Sequence, residues 1–98
     1  MPKNDNEKLA AFLKQMLKGK KLTELPPLFQ MLGDLTRLRL LDLLLTKGEQ
    51  SVGELRKKLG LAQNLAQNLA SHHLGLLRRH GLVVGVRTGQ KVFYSVAK

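Results

Sequence analysis

Eight basic side chains, Arg56, Lys57, Lys58, Arg78, Arg79, Arg87, Lys91 and Lys98, follow Leu55 with no carboxylate among the last 44 residues. All seven acids, Asp5, Glu7, Glu24, Asp34, Asp42, Glu49 and Glu54, come earlier, so the first 54 residues carry +2 and the last 44 carry +8. The chemistry open to such a set is attraction of a polyanion, because clustered Lys and Arg supply the electrostatic part of nucleic-acid binding. A solubilising surface is the plainer use of the same charge. The two uses are separated by what lies between the basic residues.

That segment is rich in amides and hydroxyls able to read base edges. At 100° per residue, Ala66, Ala70, His73, Leu74 and Leu77 gather on one side of a helix. Asn64, Gln67, Asn68, Ser71, His72, Gly75, Arg78 and Arg79 gather on the other, and Leu65, Leu69 and Leu76 fall on a third flank. Asn and Gln can bond adenine bidentately and Ser can bond base edges or phosphate. The candidate nucleic-acid contacts are Gln63, Asn64, Gln67, Asn68, Ser71, His72, Arg78 and Arg79, with the two arginines nearer the phosphates. Gly75 costs the helix roughly 1 kcal/mol relative to Ala and could permit a close approach. A protonated His72 in such an interface would make binding weaken as pH rises.

Helices must come first along the chain to position this face, and strands last. Leu9, Phe12, Leu13, Met16 and Leu17 have the i, i+3, i+4, i+7, i+8 spacing of one helical face, with Gly19 as the stop. Pro26 and Pro27 suit the opening of a short apolar helix from Leu28 to Leu32. Asp34 can cap a leucine-dense core helix through Leu35, Leu38, Leu41, Leu44 and Leu45, ending at Lys47-Gly48. Ser51-Val52-Gly53-Glu54 has capping-box spacing and opens a short helix that Gly60 stops. The next helix runs from about Ala62 or later to His80, where Gly81 can take the left-handed cap, so the pair predicts a helix-turn-helix. Leu82, Val84 and Val86, then Val92, Tyr94 and Val96, alternate across a turn at Thr88-Gly89 and predict a hairpin. Arg87 and Lys91 flank its turn as backbone contacts. The fold class expected is mainly α with a small antiparallel β-hairpin, a winged helix-turn-helix.

Composition bounds the remaining options. Ninety-eight residues with 43% apolar content make one small domain with a modest core. With no cysteine there is no disulfide, thiolate site or cysteine nucleophile. No apolar run approaches the ~20 residues of a membrane span, and the start Met-Pro-Lys-Asn-Asp-Asn has no signal-type apolar region, so a cytoplasmic protein without a membrane partner is expected. Phosphate loops, nucleophile elbows and paired carboxylates in the basic half are absent, so no enzyme and no cofactor is expected. His73 and His80 share a face but stand about 10 Å apart along the axis, too far for one ion, and no metal site is assigned.

The order Met31-Leu32-Gly33-Asp34-Leu35-Thr36-Arg37, Ser51-Val52-Gly53-Glu54-Leu55, Ser71-His72-His73-Leu74-Gly75-Leu76-Leu77-Arg78, Gly81-Leu82-Val83 and Gly89-Gln90-Lys91-Val92-Phe93-Tyr94-Ser95 resembles the ArsR/SmtB family, over about residues 27 to 96. The resemblance implies a homodimeric winged-helix repressor on an inverted-repeat operator of double-stranded DNA, released by an effector that the sequence leaves unspecified.

Three departures from the family pattern matter. The cysteine pair that metal sensors carry near Ser51-Val52-Gly53 is missing, and the chain ends four residues after Tyr94, without the last helix that often carries further ligands and part of the dimer interface. Leu9, Phe12, Leu13, Met16 and Leu17 are the replacement dimerisation surface, or else pack on the protomer's own core. Residues 1–25 are accordingly read as a dimerisation helix and linker, and 26–98 as the DNA-binding domain. Third, Ala62-Gln63-Asn64-Leu65 is repeated as Ala66-Gln67-Asn68-Leu69, which lengthens either the recognition helix or the turn before it. A sequence-independent nucleoid-type protein and a winged-helix protein-interaction module stand as alternatives.

Overall fold

A computed structural model describes residues 7–60 and 63–97, and within residues 63–68 it describes the backbone alone. The chain runs α1 (Glu7–Leu17), a 3-10 turn (Leu22–Glu24), α2 (Leu25–Leu32), α3 (Leu35–Lys47), β1 (Gln50–Ser51), α4 (Val52–Leu59), α5 (Gln63–Arg79), β2 (Val83–Thr88) and β3 (Lys91–Val96). Pro26 and Pro27 lie inside the first turn of α2 instead of ahead of it, where the missing N–H groups cost no helical bond.

The end groups legible in the sequence do their local work. Asp34 Oδ1 accepts from the backbone N–H groups of Thr36 at 2.8 Å and Arg37 at 3.2 Å. Burial pushes this carboxyl up. The Arg37 N–H bond, the charge of His73, the Thr36 N–H bond and the Arg37 charge together outweigh that and leave it below its ordinary value. Ser51 Oγ accepts from Glu54 N at 3.2 Å, while Glu54 Oε1 accepts from Ser51 N at 3.0 Å, closing the capping box of α4. Gly60, at φ 68°, ends α4 in the left-handed region that a side chain would strain.

The core lies where α2, α3, α4, α5 and the start of β2 meet, around Leu28, Met31, Leu40, Leu41, Leu44, Leu55, Leu74, Leu77, Leu82 and Val83. On α3, Leu41 and Leu44 are buried as expected and Leu40 joins them, whereas Leu35, at the first helical position, is 63% exposed. Leu9, Phe12, Leu13, Met16 and Leu17 of α1 are half-buried and pack against this core, with α1 resting on α3.

The hairpin extends into a three-stranded antiparallel sheet of order β1-β3-β2. Gln50 and Ser51 pair with Tyr94 and Phe93, and Arg87 and Thr88 face Val92 and Lys91. Gln50, 2% exposed, is satisfied through Nε2 by the carbonyls of Leu43 at 3.2 Å and Gly48 at 3.4 Å, and its Oε1 accepts from Lys58 Nζ. A Cβ at Gly85 on β2 would stand 2.9 Å from Cε1 of Tyr94 on the paired strand, so a larger residue there requires the ring to shift.

Candidate nucleic-acid interface

Helix α5 presents two unlike faces, as its periodicity requires. Ala70, His73, Leu74 and Leu77 are buried, while Ser71, His72, Arg78 and Arg79 are exposed. The helix closes where the N–H groups of Gly81 and Leu82 return to the carbonyls of Arg78 and Leu77, both at 2.9 Å, with Gly81 at φ 80°. Both copies of the repeat after Ala62 fall within the helical span Gln63–Arg79, so the duplication lengthens the helix by about one turn. The side chains of Gln63, Asn64, Gln67 and Asn68 lie outside the described residues.

A groove of about 500 Å³ separates α5 from the wing. It brings together Ser71 of α5, Arg87 at the end of β2, Lys91 at the start of β3 and Arg56 and Lys57 of α4, with the β2–β3 turn residue Gln90 at its rim. Arg78 and Arg79 do not line it and stand further along α5. Arg56, Lys57 and Gln90 were not expected at the site. Their signal was the run Arg56-Lys57-Lys58, which shows charge but not which element it will face. Glu54 is the acid in the groove, and bonds from the Ser51 backbone and hydroxyl, with Lys58 and Lys91 nearby, hold its carboxyl below the usual range. It remains ionised at neutral pH but is engaged at the helix start. Four basic side chains, Arg56, Lys57, Arg87 and Lys91, line the groove against the single engaged acid Glu54, a balance that attracts an anion.

Gly75 occupies the middle of the exposed face of α5. A Cβ built there meets no atom within 4 Å among the described residues, and its backbone is not in the positive-φ region. Gly75→Ala is therefore expected to stabilise the fold by roughly 1 kcal/mol. A denaturant midpoint that rises with unchanged slope checks this. A simultaneous loss of nucleic-acid affinity would show that the missing methyl makes room for the bound molecule.

His73 is on the inner face of α5. It is 6% exposed, and its Nδ1 lies 2.9 Å from Arg37 Nη1. Arg37 Nε donates to the carbonyl of Met31. His80 is occupied separately, its Nδ1 being 3.0 Å from the Leu76 carbonyl. Among the described residues no group of three or more His, Cys, Asp or Glu side chains is placed to hold a metal. No helix among them is long and apolar enough to cross a membrane.

A family model described as a helix-turn-helix domain matches residues 32–86. The biofilm growth-associated repressor of Agrobacterium fabrum is 38% identical over 79 residues, covering 81% of this chain and 63% of the repressor. The structure of reduced HlyU from Vibrio cholerae is 39% identical, with a TM-score of 0.62 over 72% of this chain and 70% of that one. HlyU of that organism bears the name transcriptional activator. The homodimeric winged helix-turn-helix DNA-binding domain Mb0332 of Mycobacterium bovis is 26% identical, with a TM-score of 0.66 over 100% of this chain and 77% of that one. The chain spans between 52% and 63% of the length of the curated relatives it matches.

Proposed function

This chain belongs to the helix-turn-helix domain family, in its winged ArsR/SmtB form, and from that premise we propose that it is a sequence-specific repressor acting on double-stranded DNA as a homodimer. The observation that carries the reading is the groove in which Ser71 of the recognition helix faces Arg87 and Lys91 of the wing. α5 enters the major groove with Gln63, Asn64, Gln67, Asn68, Ser71 and His72 toward the bases. Arg78, Arg79, Arg87 and Lys91 hold phosphates, and Arg56 and Lys57 join them. Phosphate contacts fix register while amide and hydroxyl contacts carry the sequence preference.

Residues 1–25 supply the dimerisation helix and linker, and residues 26–98 the DNA-binding domain. Leu9, Phe12, Leu13, Met16 and Leu17 pack on the protomer's own core, but Phe12 and Met16 also line, with Leu45 and Val96, an open groove of about 680 Å³, which supports a partner surface there. A two-fold pair places its recognition helices in half-sites ~34 Å apart, one turn of DNA. Occupancy of an inverted repeat then blocks transcription. We assign the protein to the cytoplasm and give it no catalytic activity and no cofactor. Its named relatives include one repressor and one activator, so the sign of regulation is read from a promoter fusion.

Selection of bound fragments from a random DNA pool at about 150 mM salt, where nonspecific attraction is already weakened, tests the reading. An inverted repeat is expected to be enriched. Binding without an enriched motif would favour a nucleoid-type role, and no binding would favour a protein-interaction module.

A further inference from the structure

The contact between Arg37 and His73 joins two elements that lie 36 residues apart in sequence. A guanidinium carries only donors, so the imidazole nitrogen facing it at 2.9 Å must be an unprotonated acceptor, with the ring proton on Nε2. Arg37 is also tied through Nε to the carbonyl of Met31 near the end of α2, so it cannot turn away without abandoning that bond. Its own residue lies on the first turn of α3, where Asp34 caps the helix through the N–H of Arg37. The buried ring of His73 stands on the inner face of α5, next to exposed His72, whose ring meets it edge-on with centroids 5.6 Å apart. One side chain of α3 thereby fixes α2, α3 and the recognition helix to one another.

We infer that Arg37 and His73 form a latch that holds α5 in its DNA-reading pose only while His73 is neutral, so that acidification releases the nucleic acid. The inference rests on the DNA-binding reading above for its output, though not for the latch itself. A proton on Nδ1 turns the acceptor into a donor that faces a donor, and sets an imidazolium against a guanidinium in a site with little water. The groups acting on His73 are Asp34 and Arg37 from α3 and His72 from its own helix; only Asp34 favours the charged ring. Burial is the largest influence and, with Arg37 and His72, it outweighs Asp34 and holds His73 below the ordinary histidine range. The unfolded chain therefore takes up the proton more readily. The latch contributes fully above about pH 6.5 and is lost as pH falls through the lower folded value. Arg37 and His73 are positioning residues, since neither is placed among the nucleic-acid contacts. His72, exposed on the outer face, is replaced in both variants below so that their comparison isolates His73.

The experiment compares DNA affinity at pH 7.5 and 5.5 for His72→Gln and for His72→Gln/His73→Asn. Asparagine keeps an acceptor near the position of Nδ1 but does not titrate. The first variant is expected to lose affinity at pH 5.5, by less than the roughly tenfold that protonating one histidine of ordinary value would cause over this interval, and the second to lose measurably less. Equal acid losses in the two variants would overturn the latch. Imidazole nitrogen chemical shifts of the full chain without DNA are the second readout. The Nε2–H form of His73 is expected at pH 7.5, with α3 and α5 amide signals moving as the ring titrates, and a proton on Nδ1 at that pH would overturn the proposal. If the unmutated chain does not bind DNA at pH 7.5, the DNA-binding reading fails, while the chemical shifts still decide the latch.

Discussion

Leu74→Ala is expected to remove about 2–5 kcal/mol of stability, a large part of the roughly 5–15 kcal/mol available to a domain of this kind. Leu74 has no exposed surface and lies on the inner face of α5, within the cluster that includes Leu40, Leu41, Leu55 and Leu77. Truncation removes the transfer free energy of the lost carbons and leaves a cavity, because these neighbours belong to three packed elements that cannot all close inward at once. Each kcal/mol moves the midpoint by roughly 4–8 °C in a domain near this size, so a fall in Tm of more than about 10 °C is expected. Leu22→Ala is the control. Leu22 is 81% exposed on the 3-10 turn, and its removal should stay within about 0.5 kcal/mol. Similar effects of the two substitutions in urea unfolding would reject this placement of the core.

Removing Arg87 and Lys91 together is expected to weaken DNA binding by roughly sixtyfold at about 0.1 M salt. The magnitude follows from counterion release: with a slope near 0.9 per phosphate, each lost contact is worth about eightfold at that concentration. The pair faces the same groove as Ser71, and both side chains are exposed at the wing, so the double variant leaves the core intact. The slope of log K against log salt should fall by about 1.8, with the preferred DNA sequence unchanged. An unaltered slope would show that the wing touches no phosphate. A changed sequence preference would place at least one of these residues on a base edge.

The boundaries were legible because helix ends are written in local chemistry. Asp34 two and three residues before the N–H groups it accepts, Ser51 three before Glu54, and Gly60 and Gly81 after apolar periods each fix an end using neighbours alone. The exposed and buried faces of α5 were readable for the same reason, since Ser71 and His72 differ in phase from Leu74 and Leu77. Phase was harder to read on α3. Leu35, Leu38, Leu40, Leu41, Leu43, Leu44 and Leu45 surround that helix, so no stripe is unique, and the inward face is chosen by packing against α5 and β3.

What the sequence did not disclose depends on pairs distant along the chain. β1 has only Gln50 and Ser51, too short for alternation, and becomes a strand because Tyr94 and Phe93 arrive beside it. The Arg37–His73 contact has no local spacing to reveal it. Arg56 and Lys57 were legible as charge, but their place opposite the wing depends on how α4 packs against β3. The Ala-Gln-Asn-Leu repeat left helix and turn equally open, and the answer came from the backbone of residues 63–68 continuing as α5.

Ser51 belongs to two elements at once, pairing with Phe93 in the sheet and receiving the Glu54 N–H at the start of α4. Opening β1 from β3 therefore also removes the residue that organises the first turn of α4. The wing is not a loosely tethered hairpin. Amides of β1, β3 and the first turn of α4 are therefore expected to exchange with solvent together, and common exchange rates at the wing base would report on the integrity of the helix-turn-helix.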